Sequence, residues 1–164
     1  MNDMSTTALQ SYTNELTPEL LRSLDVSLFS EQQLAELSEE ALNCIREQKA
    51  YRKAHPPVAI YRFATEGSQT REGGVIEQTE SAMTIGVNNG QQVRVAHKGD
   101  YALYPDGRKA QIVTGAGNAN SDIALVGSVL SNGDMIINTP QNTALFLQRD
   151  GESIEEDFLP VVEA

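Results

Sequence analysis

Between Pro18 and Arg52 the apolar residues recur every three or four positions, whereas from Val58 onward they fall in short β-branched runs broken by Gly, Asn and Asp. The first rhythm is that of helices with one apolar side, the second that of many short strands. Thr17-Pro18-Glu19 supplies an N-cap, a first-turn proline and a first-turn acid, which predicts a short helix through about Leu24. Ser30 opens a second start, with Gln33 in capping-box position. Leu34, Leu37, Ala41, Leu42 and Ile45 follow at helical spacing and predict one striped helix running to about Arg52. His55-Pro56-Pro57 ends it, because proline holds the residue before it in extended backbone. The pattern divides the chain into a polar, flexible N-terminus (1–16), a helical extension ending at a Pro-Pro hinge (17–57), a β-domain (58–148) and an acidic tail (149–164).

Within the β-domain, strands are expected at 58–63, 75–76, 112–113, 123–126, 136–137 and 143–147, with a hairpin of 83–87 and 92–95 around Asn88-Asn89-Gly90. A two-residue reversal there requires positive φ at both centres. Gly115–Asn120 reads as a flexible loop. The tail keeps Ile154, Phe158, Leu159, Val161 and Val162, more apolar residues than a solvated tail needs, so part of it is expected to pack.

One phrase occurs three times: Ala64-x-x-Gly67-Ser68, Ala96-x-x-Gly99-Asp100 and Ala124-x-x-Gly127-Ser128, with the glycines 32 and 28 residues apart. Each copy is followed by a second turn, at Gly73-Gly74, Asp106-Gly107 and Asn132-Gly133-Asp134, and then by Val75-Ile76, Ile112-Val113 and Ile136-Ile137. A fixed period of this kind marks one supersecondary unit used repeatedly. The fold class expected is mainly β: a pseudo-threefold domain of three repeats of about thirty residues, preceded by a small helical extension. Gly67, Gly99 and Gly127 form one set of repeat turns, Gly73, Gly107 and Gly133 the other. The competing reading is an ordinary β-domain whose turns happen to be evenly spaced.

Charge changes the picture by exclusion. The net charge of −11 argues against a nucleic-acid partner, which needs a basic surface. The β-domain is close to neutral, and the acids concentrate in the two ends. Cys44 is the single cysteine, so no intrachain disulfide forms. The first residues carry neither a basic nor an apolar signal region, and no run approaches a membrane span; cytoplasmic synthesis without membrane insertion is expected.

Catalytic chemistry finds little support. Cys44 and His55 lie about 16 Å apart along one helix, too far to share a proton. Cys44 reads as a small helix residue and His97 as a solvated turn histidine. Asp100, Asp106, Asp122 and Asp134 could supply acid–base chemistry, but three sit in turn phrases that favour local backbone bonding. Gly115–Gly117 lacks the Lys-Ser/Thr of a phosphate loop. The stripe Leu34, Leu37, Leu42 and Ile45 either packs on the β-domain or docks a partner by helix-in-groove recognition.

Phe63-Ala64-Thr65-Glu66-Gly67-Ser68, Gly99-Asp100 with Tyr104-Pro105-Asp106-Gly107, and Ala124 through Asp134 followed by Ile137-Asn138-Thr139-Pro140-Gln141 resemble the PAAR-repeat family over about residues 58–148. The resemblance implies a cone-shaped β-domain that caps the trimeric β-helical spike of a type VI secretion system or a related contractile apparatus. One copy would sit on each trimer and be exported with it, with an effector, adaptor or chaperone carried on the N-terminal helices. Many members hold an apical zinc through three His and one Cys. Here Glu72, Tyr104 and Asn132 stand near those positions, and the β-domain offers only His97. No zinc or other cofactor is expected, with the apex held by turns, hydrogen bonds and packing. The chain is therefore expected to be a non-enzymatic structural tip. The alternatives are a phage tail-spike tip and a small ligand-binding β-domain with a regulatory helical arm.

Overall fold

Three α-helices and seven short strands form the regular structure of the computed structural model, which describes residues 11–24 and 29–160. The chain divides into two units: Met1–Asn14, Tyr61–Phe146 and Ile154–Ala164 form the larger, Glu15–Ile60 and Leu147–Ser153 the smaller. The architecture is mixed, with helices and small sheets and no closed barrel among the described residues.

In the smaller unit α1 (Pro18–Leu24) starts on Thr17, whose hydroxyl accepts from Leu20 N at 3.1 Å. α2 (Glu31–Ala35) carries the capping box, with Ser30 and Gln33 bonded reciprocally. The single helix expected from Ser30 to Arg52 is instead two. α3 (Glu39–Ala54) begins afresh at Ser38, whose hydroxyl accepts from Ala41 N at 3.2 Å. Ser38-Glu39-Glu40 is itself an N-cap followed by first-turn acids, and this local signal outweighs the continuous apolar spacing. Leu34 thus lies on α2, Leu37 in the break, and Leu42 and Ile45 on α3, so the stripe is not one helix face. All four are half-buried, and no helix carries a fully buried residue. β1 (Pro57–Arg62), which pairs with β7 (Leu145–Arg149), already begins at the second proline.

The larger unit contains β2 (Val75–Ile76), β3 (Thr84–Gly86), β4 (Gln92–Arg94), β5 (Tyr101–Leu103) and β6 (Lys109–Gln111), in sheets β2-β5-β6 and β3-β4. Three of its segments make the same contacts in rotation. Ala64 N donates to Ala124 O at 2.8 Å, Ala96 N to Ala64 O at 2.9 Å and Ala124 N to Ala96 O at 2.9 Å. These bonds close on themselves, and all three alanines are fully buried. A second cycle flanks the first: Val126 N to Arg62 O, Glu66 N to Arg94 O and Lys98 N to Asp122 O.

After each alanine the chain reverses through Gly67, Gly99 or Gly127, with φ of +92°, +101° and +105°, a conformation that a side chain would strain. Each of these glycines donates its N–H to Ile76, Ile112 or Ile136 at 2.8 Å, and the three isoleucines are core residues. Because the path turns every few residues, the strands expected at 112–113, 123–126 and 136–137 reduce to single bridges such as Ile112↔Leu130, Phe63↔Leu125 and Thr70↔Ile136. The reversal at 88–90 also differs from expectation. It is a three-residue loop closed by Val87 N to Gln91 O, in which Gly90 alone has positive φ.

A second apolar cluster gathers Val95, Ala116, Ile123 and Leu125 with Tyr61, Phe63, Phe146, Phe158 and Leu159. The tail therefore packs, through Phe158 and Leu159; Val161 and Val162 lie outside the described residues. The segment 115–120 holds it rather than forming a free loop: Gly115 O accepts from Leu159 N at 2.8 Å and Asn118 N donates to Asp157 at 2.9 Å. Part of the N-terminus expected to be flexible is also tied down. Tyr12 and Thr139 exchange backbone bonds, and Asn14 bridges Val126 O and Arg62 N at 2.7 and 2.8 Å. Residues 1–10 lie outside the described residues.

Candidate functional site

Each repeat rises from its glycine turn into a hairpin tip built the same way. Thr70 N donates to Gly74 O, Tyr104 N to Arg108 O and Leu130 N to Asp134 O, all within 2.9 Å. Gly73, Gly107 and Gly133 close the three loops by donating back to Thr70, Tyr104 and Leu130. The second set of repeat turns thus lies at corresponding places in three hairpins. The first and third tips also bond neighbouring repeats through the backbone, Arg71 N to Met135 O and Ser131 N to Gln111 O at the end of β6.

Between the tips lies a buried polar cluster. Tyr104 Oη donates to Asp134 Oδ2 at 2.5 Å, and Asn132 Nδ2 donates to Tyr104 Oη at 3.0 Å. Asp134 Oδ1 accepts from Glu72 N at 3.1 Å and Met135 N at 2.8 Å. The Thr70 hydroxyl, which also accepts from Gly74 N at 2.8 Å, completes the set against Asp134 and Tyr104. Tyr104 is 7% exposed and Asp134 only 2%. Burial alone would raise the pKa of Asp134, but bonds from Thr70, Tyr104 and two amides outweigh it and hold the carboxyl below its ordinary range. Burial, then the bond to Asp134, pushes the Tyr104 phenol up.

Of the positions singled out in the sequence, Tyr104 and Asn132 enter this cluster by their side chains, Glu72 only by its amide. Asp100 and Asp106 bond locally, to His97 N at 2.8 Å and Arg108 N at 3.0 Å, as turn aspartates should. Asp134 bonds Met135 N locally, but its carboxylate also reaches the other two repeats, at Glu72 N and Tyr104 Oη. No local signal marks it: the position after the tip glycine is Gly74, Arg108 and Asp134 in the three repeats, with no residue type in common.

In the smaller unit Cys44 is exposed, and the His55 ring stacks on Tyr51 at 4.1 Å. Tyr51 Oη donates to Glu152 at 2.7 Å beside an open groove of about 450 Å³.

A zinc does not fit the tip cluster. The donors are hydroxyl, amide and carboxylate oxygens already bonded to one another, whereas structural zinc takes imidazole and thiolate. Among the described residues no three His, Cys, Asp or Glu side chains gather as ligands, and no helix is long and apolar enough to cross a membrane. Comparison of the chain with protein-family models, curated proteins and solved structures finds no match.

Proposed function

We propose that this chain is the structural tip of a trimeric β-helical spike, in a type VI secretion system or a related contractile injection apparatus, and that it carries no catalytic activity. The observation that carries this reading is the closed cycle Ala64–Ala124–Ala96, repeated in the flanking bonds. A cap for a trimer must present one surface three times, and a single chain does so most simply by repeating a unit about an axis. On this reading the β unit is a cone with pseudo-threefold symmetry, the three hairpin tips at its narrow end. The resemblance of residues 58–148 to PAAR repeats names the partner class.

The helices support a recruiting role. Tyr51 on α3 is 44% exposed, Phe29 just ahead of α2 is 40% exposed, and none of the three helices buries a residue fully. An effector, adaptor or chaperone with an apolar groove is the partner such a surface fits. Light scattering after size exclusion, with the trimeric spike protein encoded alongside, tests the cap. One copy per trimer is expected; absence of binding would overturn the proposal.

A further inference from the structure

We propose that Asp134 is a metal-free clasp: one buried carboxylate that ties the three hairpin tips together, the task a bound ion performs in metal-closed folds. Its bonds come from all three repeats. Glu72 N belongs to the first and Tyr104 Oη to the second, while Asp134 itself, with Met135 N, belongs to the third. An ionised carboxylate only accepts, so four donors from three repeats, the Thr70 hydroxyl among them, satisfy it while joining the tips. Charge-assisted bonds of this kind are short and strong, as the 2.5 Å contact with Tyr104 is. Asn132 supplies the orientation. It donates to Tyr104 Oη, and so leaves the single phenolic hydrogen directed at Asp134. Unlike an ion, this hub is part of the chain and cannot be removed by a chelator. It also stands apart from the spike-tip reading, since it would hold the tips together whatever the β unit binds.

The test uses the full chain as wild type, Tyr104→Phe, Asp134→Asn and the double variant, with unfolding equilibria measured with and without EDTA. Amide hydrogen exchange is read at Glu72, which lies in a different repeat from either substitution. EDTA and added zinc should leave the midpoint unchanged. Tyr104→Phe should raise the unfolding constant about tenfold, since bonds to charged groups contribute roughly that much. The double variant should fall short of the product of the singles by about fivefold or more, and Glu72 N should exchange faster in Tyr104→Phe. If Asp134→Asn fails to fold, Tyr104→Phe with its Glu72 exchange carries the test alone. A midpoint lowered by EDTA, singles that multiply without coupling, or a Glu72 amide indifferent to Tyr104→Phe would overturn the clasp.

Discussion

Gly73 and Gly74 stand side by side in the first tip, and an alanine at each should fail for different reasons. At Gly73 φ is +94° and nothing lies within 4 Å of an added Cβ, so the cost is backbone strain alone, about 1–2 kcal/mol. At Gly74 the backbone is ordinary, but the Cβ would meet Thr70 Oγ1 at 2.9 Å and the Tyr104 ring at 2.9 and 3.0 Å. A free tyrosine would swing aside. This one is pinned at its hydroxyl by Asp134 and Asn132, so making room breaks those bonds. Overpacking costs about 1–3 kcal/mol and a lost bond to a carboxylate about 1.5–3, which sets Gly74→Ala near 4 kcal/mol. Urea denaturation of both variants, read by far-UV circular dichroism, measures the difference. Repeating Gly74→Ala in a Tyr104→Ala background isolates the steric part, and most of the penalty should vanish there. A Gly74→Ala penalty no larger than that of Gly73→Ala, or one unchanged without the ring, would refute the reasoning.

Acid should act through Asp134. Its folded-state value lies below the ordinary 3.8, so its contribution is complete above about pH 4 and is lost as the pH falls through the lowered value; Asp134→Asn should flatten the melting temperature in that window. Tyr104 is shifted the other way, above 10.0, so its contribution holds up to about pH 10 and is lost as the pH rises through the raised value; Tyr104→Phe should flatten the alkaline limb. Gln141, 1% exposed, donates to Phe63 O and Ala144 O and accepts from Thr143 N and Ala144 N. Gln141→Leu should therefore cost about 3 kcal/mol in urea denaturation, because stranded buried groups cost roughly 1–3 each. Phe158 meets Tyr61 edge-on at 4.8 Å and is half-buried; Phe158→Ala should cost about 2 kcal/mol and expose apolar surface to a dye such as ANS.

The turns and caps were legible because each rests on a residue whose local chemistry decides it. Thr17, Ser30 and the repeat glycines could be read from a few neighbours. Ser38 is hidden because the spacing of Leu37, Ala41 and Leu42 runs through it unbroken, and periodicity does not register a cap inside a stripe. The strands fared worse. A residue such as Ile112 pairs at one position only, so no run of alternation announces it. Contacts that depend on the whole fold left no local trace: Asn14 against Val126, and Asp134 against Tyr104 thirty residues away.

The cyclic bonding also governs when this β unit can form. Ala64 receives its N–H partner from Ala124, and Thr70 pairs with Ile136, so the first repeat is completed by the last. On the ribosome the early repeats must wait, with open strand edges, until residue 136 has emerged. Contacts of such long sequence separation make folding slow and all-or-none. A nascent chain stalled before that point carries two unmatched edges, the condition in which chains pair with one another instead of with themselves.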